Sequence, residues 1–133
     1  MSGPGGRPTV TIGNVAIHVS DLERSERFYV DVLGLEVLNR VETPTVREVF
    51  LGSSAGGSQL ALAEQRDGRP VEAGGGMWKV YLATDDAVGL HERAVAAGAR
   101  PEGEPRHLEQ FKVTIAFVRD PDGHLLEFGQ QHP

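Results

Sequence analysis

Two stretches of this sequence decide its fold, NVAIHVSDLE at residues 14–23 and KVYLATDD at residues 79–86. In each stretch, apolar and polar residues alternate over a few positions and then give way to an amphipathic run that ends at a glycine. Alternation predicts a half-buried strand, and the amphipathic run predicts a helix. Because Asp21 and Asp86 hold equivalent places roughly 65 residues apart, the sequence predicts one supersecondary unit used twice.

Short β-type runs follow each predicted helix. In the first half they lie at 35–42, 45–51 and 58–63. The second half predicts a strand, a helix and three more strands, at 77–84, 86–97, about 100–106, 111–118 and 124–129. Ser20 followed by Glu23 predicts a capping box for the first helix, and DPDG at 120–123 predicts a tight turn, with His124 covering the hairpin.

The predicted organisation is a single α+β domain over residues 1–133. Module one covers about 10–63, a polar, glycine-rich linker covers 64–76, and module two covers about 77–129. The Gly- and Pro-rich residues 1–9 predict a flexible tail. Each module has the order βαβββ.

The composition narrows the range of functions. A net charge of −6 argues against nucleic acid or an anionic membrane as a partner. The 133 residues include no cysteine, which excludes disulfides and thiolate chemistry. The first residues lack the apolar core of a signal peptide, and no segment has membrane-spanning length, so we expect a cytoplasmic protein.

Strand alternation also assigns side chains to the two faces of the predicted sheet. One face should pack against the helices and carries Val15, Ile17, Val19, Leu60, Leu62, Val80, Leu82, Leu126 and Phe128. The other face should line a cleft and carries Asn14, Ala16, His18, Gln59, Ala61, Ala63, Lys79, Tyr81, Ala83, Leu125, Glu127 and Gly129. Small residues among a few polar ones are typical of a small-molecule pocket.

Two segments resemble the vicinal oxygen chelate superfamily, which includes glyoxalase I, extradiol dioxygenases and bleomycin-resistance proteins. They are VAIHVSDLERSERFY at 15–29, continuing to VLGL at 32–35, and FVRDPDGHLLEF at 117–128. The similarity is strongest to glyoxalase-I-like members. The resemblance implies paired βαβββ modules that form a U-shaped mixed sheet around a cleft, and a homodimer.

The resemblance also implies four metal-ligand positions, which fall here at Asn14, Ala61 (with Gln59 one pleat away), Lys79 and Glu127. An amide is a poor ligand for a transition metal, a methyl group is none, and an ammonium group repels a cation. We therefore predict that the metal of the relatives is missing. If a divalent cation is present, we expect Glu127 to hold it, with His18 as a candidate second ligand.

Two classes of function are consistent with this altered cleft. The first is a lyase or isomerase that moves a proton in a carbonyl-containing or polycyclic metabolite, with Glu127 as base and Lys79 or His18 stabilising negative charge. Asn14, Gln59, Ala61, Trp78, Tyr81 and Leu125 are its predicted substrate-binding residues. The second is a binding protein, similar to bleomycin-resistance proteins, that sequesters a drug or metabolite. In either case, Lys79 and Glu127 could instead form a purely structural ion pair.

Overall fold

A computed structural model describes residue 9 and residues 12–133 of the chain. Module one begins with strand β1 (Asn14–His18), helix α1 (Leu22–Arg27) and a π-helical turn at Phe28–Val32. The strands β2 (Glu36–Glu42), β3 (Val46–Gly52) and β4 (Gln59–Gln65) follow. They form a four-stranded mixed sheet in the order β1-β4-β3-β2, in which β1 and β4 are parallel.

Module two repeats this order with β5 (Val80–Ala83) and α2 (Ala87–Ala96). The strands β6 (Arg100–Pro101), β7 (Arg106–Leu108), β8 (Val113–Arg119) and β9 (Leu125–Gln131) follow, with a 3-10 turn at Glu109–Phe111. The sheet order is β5-β9-β8-β6, with β7 also paired to β8, and β5 is parallel to β9. The α+β class and the two βαβββ modules are therefore confirmed.

Two predicted strands differ most from the observed ones. The strand predicted at 77–84 is only four residues long, so Lys79 lies just before it. The strand predicted at 100–106 is divided into β6 and β7 around Gly103, whose φ of 75° breaks an extended chain. The start of the first strand and the tail at 1–9, apart from Thr9, lie outside the described residues.

One hydrophobic core joins the helix-facing sides of both sheets. Ile17, Leu62, Leu126 and Phe128 are among its buried members, as alternation predicts. Val15 was expected to cover the helix but is 52% exposed, because it lies near the open end of the edge strand β1. The cleft-facing sides lie opposite this core and are left largely uncovered by the helices.

Both helices begin at an aspartate. The Asp21 carboxylate accepts a hydrogen bond from the Arg24 backbone N–H at 3.1 Å, and Asp86 does the same for Gly89 at 2.9 Å. The predicted capping box is therefore wrong, because Asp21 and not Ser20 caps α1. Among the described residues, no helix reaches the length and apolarity that crossing a bilayer requires.

Ser20 instead contacts the turn between β8 and β9, which we call the inter-module turn (Asp120–His124). Its hydroxyl donates to the Asp122 carboxylate at 2.5 Å. The Tyr29 hydroxyl donates to Asp120 at 2.6 Å, and His124 Nε2 lies 2.8 Å from the His18 carbonyl oxygen. Burial and the negative charge of Asp120 raise the pKa of Tyr29 well above its ordinary value. These contacts fasten module two to module one on the helix side of the molecule.

Candidate active site

The Lys79 ammonium and the Glu127 carboxylate form the most buried ion pair of the cleft face. Nζ lies 2.5 Å from Oε1, and the two side chains are 8% and 13% exposed. Glu127 is held in the middle of β9, between Tyr81 on β5 and Phe117 on β8. The predicted proximity of the two charges is therefore present in the structure.

Three aromatic rings surround the same ammonium group. Nζ lies 3.8 Å from the ring centroid of Trp78, 4.7 Å from that of Tyr81 and 5.3 Å from that of Phe117. A cation within about 6 Å of a ring centroid is attracted by the negative face of the ring. We call these three rings and Glu127 the Lys79 cage.

The cage keeps Lys79 charged. Burial of the ammonium group opposes its charge, but the hydrogen bond and negative charge of Glu127, with a contribution from Tyr81, outweigh this. The pKa of Lys79 is therefore raised above its ordinary value of 10.5. At neutral pH this lysine acts as a fixed cation, which excludes it as a proton acceptor.

An open groove of about 630 Å³ runs along the cleft side of module two beside the cage. Tyr81, Ala83, Glu127 and Gly129 line it, with Gln131 toward its end. Lys79 does not line this groove, since Glu127 and the rings cover its ammonium group. A molecule in the groove would therefore meet the carboxylate and not the ammonium.

The cleft-side residues of module one form a second, separate group. Asn14 is opposite Gln59, Ala16 is opposite Ala61, and His18 is opposite Ala63 in the β1–β4 register. Asn14 and His18 are exposed, Gln59 is half-buried, and Ala61 is 1% exposed. The small side chain of Ala61 is thus covered by its neighbours and unavailable for contact with a ligand in this arrangement.

The predicted site residues therefore lie in two halves. Trp78, Lys79, Tyr81 and Glu127 are gathered in module two, where Leu125 is half-buried on the same strand as Glu127. Within the part of the chain that the structure describes, no hydrogen bond or ion pair joins them to Asn14, Gln59, Ala61 or the His18 side chain. Hydrogen bonds between the modules instead join the inter-module turn to Ser20, Tyr29 and the His18 carbonyl oxygen. Arg93 of α2 also donates to the backbone carbonyl oxygens of Asp31 and Val32.

The residues at the four metal-ligand positions do not fit a divalent cation. Only Glu127 offers a carboxylate, and its Oε1 already accepts a hydrogen bond from an ammonium group that would repel a metal ion. In the described chain, one group of three carboxylates is close enough to share an ion: Asp21, Glu23 and Glu64, with ligand atoms within 4.8 Å of one another. It lies at the start of α1, where Arg47 already forms ion pairs with two of its members.

Sequence reasoning missed the contacts of two residues of module two. Phe117 completes the Lys79 cage, and pairing β8 with β9 across the DPDG turn would have placed it opposite Glu127. His124 was expected only to cover the hairpin, but it is 3% exposed and bridges to the backbone of β1. No pattern in the sequence signals a contact between residues that are so far apart along the chain.

The family model described as Glyoxalase/Bleomycin resistance protein/Dioxygenase superfamily matches residues 11–128. The chain is 31% identical over 119 residues to a lactoylglutathione lyase of Neisseria meningitidis serogroup A, with 86% of each sequence covered. It is 33% identical over 116 residues to the lactoylglutathione lyase of Haemophilus influenzae, covering 84% of this chain and 86% of that one.

Solved structures of the same fold include glyoxalase I from Zea mays, with a TM-score of 0.79 and 25% identity over 90% of this chain. This chain spans 44% of the length of the maize chain. The fold also matches the trypanothione-dependent glyoxalase I of Leishmania major, with a TM-score of 0.78 and 24% identity over 92% of this chain and 88% of that one. The chain therefore belongs to the glyoxalase/bleomycin resistance protein/dioxygenase superfamily, as a glyoxalase-like member.

Proposed function

We propose that this protein is a glyoxalase-like lyase or isomerase that moves a proton next to a carbonyl group without the divalent cation of its relatives. The observation that carries this proposal is the Lys79–Glu127 ion pair, whose two residues stand at two of the four positions where the resemblance implies metal ligands. A fixed cation of this kind neutralises the carboxylate locally, as a metal would, while leaving the carboxylate next to an open groove.

In this mechanism, Glu127 is the proton acceptor. In the described chain only its Oε1 accepts a hydrogen bond, so Oε2 is available to a substrate proton in the groove. Proton transfer needs a heavy-atom separation of about 2.6–3.2 Å, which a substrate lying against β9 would meet. Lys79 orients the carboxylate and stabilises its charge, and any donor to the developing oxyanion would come from another cleft residue such as His18.

The test is to compare the native protein with Glu127→Gln in chelator-treated buffer. The first assay follows the formation or breakdown of lactoylglutathione, the compound in the names of the relatives, and further assays use other small carbonyl compounds. We expect Glu127→Gln to lower turnover by about 10²–10⁴-fold with little change in KM. Glu104→Gln, an exposed carboxylate in the loop between β6 and β7, serves as the control. Turnover that requires added metal, or that survives Glu127→Gln, would contradict the proposal.

A second candidate is binding without chemistry, and the exposure of two rings favours it. Trp78 is 72% exposed and Tyr81 is 67% exposed although both contact Lys79, so each presents a face to solvent on which a flat ligand could stack. Trp78 is the only tryptophan in the sequence, so its fluorescence reports directly on this position. Saturable quenching by a ligand that is recovered unchanged would favour this candidate over the enzyme.

We also propose that a second copy of the chain completes the cleft. Supporting this, no hydrogen bond or ion pair joins the module-one and module-two halves of the site in the described chain, and both halves expose apolar side chains. Val15 and Ile12 are 52% and 82% exposed in module one, while Trp78 and Tyr81 are exposed in module two. Module one of one copy would then face module two of the other.

Mixing two inactive variants tests the shared cleft. Ala16→Arg blocks the module-one half and Glu127→Gln disables the module-two half. After the two proteins are unfolded and refolded together, a shared cleft restores about one quarter of the native activity, because half of the dimers are mixed and each holds one intact site. If each chain forms its own cleft, the mixture stays inactive. Sedimentation of the native protein as a monomer would also contradict this proposal.

A further inference from the structure

A second groove of about 630 Å³ lies between the two modules, on the side of the helices. Its walls come from α1 and the π-helical turn of module one, and from the segment after α2 and the inter-module turn of module two. Phe28, Val32, Ala97 and Ala99 provide an apolar lining. The groove is separate from the Lys79 cage and from the groove beside Glu127, since no residue lines both.

Four arginines line this second groove, which we call the basic groove: Arg24, Arg27, Arg100 and Arg119. Arg24 lies 3.4 Å from Asp122, and Arg119 donates to Glu102 at 2.9 Å. Arg100 is 69% exposed, and its guanidinium group lies 3.8 Å from the same Glu102 carboxylate, which is a long distance for an ion pair. Among the described residues, no hydrogen bond or ion pair is recorded for Arg27. Two of the four guanidinium groups are therefore free, or nearly free, to bind a ligand.

The acidic residues of the basic groove do not cancel this charge. Asp120 is 5% exposed, and both of its oxygens are used internally. Oδ2 accepts the Tyr29 hydroxyl, and Oδ1 accepts the backbone N–H groups of Asp122 and His124. Asp31, which is exposed, is the other carboxylate that lines the groove, and Glu102 lies outside the lining at 3.8 Å from Arg100. In a protein whose net charge is −6, such a site is a local exception that favours anions.

We propose that the basic groove binds a small organic anion, in which a carboxylate or phosphate group is attached to an apolar body. The planar guanidinium groups of Arg27 and Arg100 match the geometry of either oxyanion, and the apolar lining accepts the rest of the molecule. Because both modules line the groove, the bound anion connects them beside the inter-module turn. Binding therefore stabilises the folded chain.

The experiment titrates the ¹⁵N-labelled native protein with benzoate, phenyl phosphate, inorganic phosphate and benzylammonium. It follows the backbone amide resonances of Gly98, Ala99 and Gly123, which line the groove. We expect saturable shifts with one or both aromatic anions and a rise in melting temperature, with weaker binding of inorganic phosphate and none of benzylammonium. The stronger of the two aromatic anions identifies the oxyanion that the groove prefers.

Variants then assign the binding to the arginines. Arg27→Gln with Arg100→Gln should weaken binding by about tenfold or more, and the Arg→Lys versions should retain part of it. Both side chains are exposed, so the variants should fold, which their melting curves check. Arg106→Gln with Lys112→Gln removes the same charge outside the groove and should bind as the native protein does. Binding that is unchanged in the Arg27/Arg100 variant, equal binding of benzylammonium, or no saturable shift with either aromatic anion would overturn the proposal.

Discussion

The two modules have the same architecture but carry different side chains on their cleft faces. The strand registers place three pairs of residues in equivalent positions: Ala16 and Tyr81, Ala61 and Glu127, and Phe50 and Phe117. In the same way Asn14 corresponds to Lys79, each lying seven residues before the aspartate that caps the next helix. Module one therefore offers methyl groups and an amide where module two offers an ion pair inside aromatic rings.

This difference shows that the repeated framework does not determine which side chains the cleft face carries. Backbone hydrogen bonds and the helix-facing core depend on strand register and alternation, which both modules keep. The cleft face contributes little to that core, so residues there can change without loss of the fold. We therefore expect perturbations of the cleft face to have unequal effects in the two modules, and perturbations of the framework to have equal ones.

The largest expected effect on stability is that of Glu127→Ala. The variant leaves the Lys79 ammonium, 8% exposed, without its carboxylate, and should lower the free energy of unfolding by about 3 kcal/mol. Gln59→Ala in module one removes a half-buried polar side chain and should cost less than about 1 kcal/mol. Urea unfolding at pH 7.5 measures both. Equal losses of unfolding free energy in the two variants would show that the cleft faces of the two modules contribute equally to stability.

The next largest effect is the pH dependence of the stability that the Lys79–Glu127 ion pair contributes. A double-mutant cycle of Lys79→Met and Glu127→Gln should give a coupling free energy of about 2 kcal/mol at pH 8. The folded protein raises the pKa of Lys79, so this stabilisation is fully present below the unfolded pKa of about 10.5. It should be lost as the pH rises through the higher pKa of the folded state. A coupling that stays constant up to pH 12 would show that the lysine charge is not its source.

A smaller effect, equal in the two modules, is expected at the helix caps. Asp21→Ala and Asp86→Ala each remove one carboxylate that accepts a backbone N–H at the start of a helix. Each should lower the free energy of unfolding by about 1 kcal/mol. Thermal unfolding of the two variants side by side makes the measurement, and the Asn versions should recover most of the loss. Clearly unequal losses would mean that the framework has diverged as well.

The smallest expected effect is that of Trp78→Leu. It removes one cation–π contact at a ring that is 72% exposed, and should cost about 0.5–1 kcal/mol. Leu38→Ala, an exposed side chain on β2 of module one, is the control and should cost less. Chemical denaturation followed by circular dichroism avoids reliance on the missing tryptophan. A decrease in the free energy of unfolding of more than about 2 kcal/mol would indicate that Trp78 is buried in solution, for example against a second copy of the chain.

Much of the fold could be predicted from local pattern. The alternation around Ile17 and Phe128, the DPDG turn and the two amphipathic runs all correspond to observed elements. The capping box was wrong because Ser20 has a stronger partner in Asp122, which is 102 residues away. The exposure of Val15 also depends on where β1 lies in the sheet, and alternation alone does not contain that information.

The candidate site, like the fold, could be predicted from the sequence only in part. Strand periodicity places Lys79, Tyr81 and Glu127 on one face, and the resemblance to known relatives indicates that Lys79 and Glu127 converge. The ring of Phe117 against the ammonium, the bridge from His124 to β1 and the basic groove join segments that lie far apart along the chain. Their positions follow from the packing of the two modules against each other.

The sequence by itself determined that one βαβββ unit occurs twice and which residue types face away from the helices. It could do so because alternation and capping act between near neighbours along the chain. Only the tertiary structure decided which of those residues meet. The ammonium group of Lys79 is enclosed, the two halves of the cleft are apart, and the arginines of both modules line one groove, because side chains distant in sequence come together only when whole elements pack.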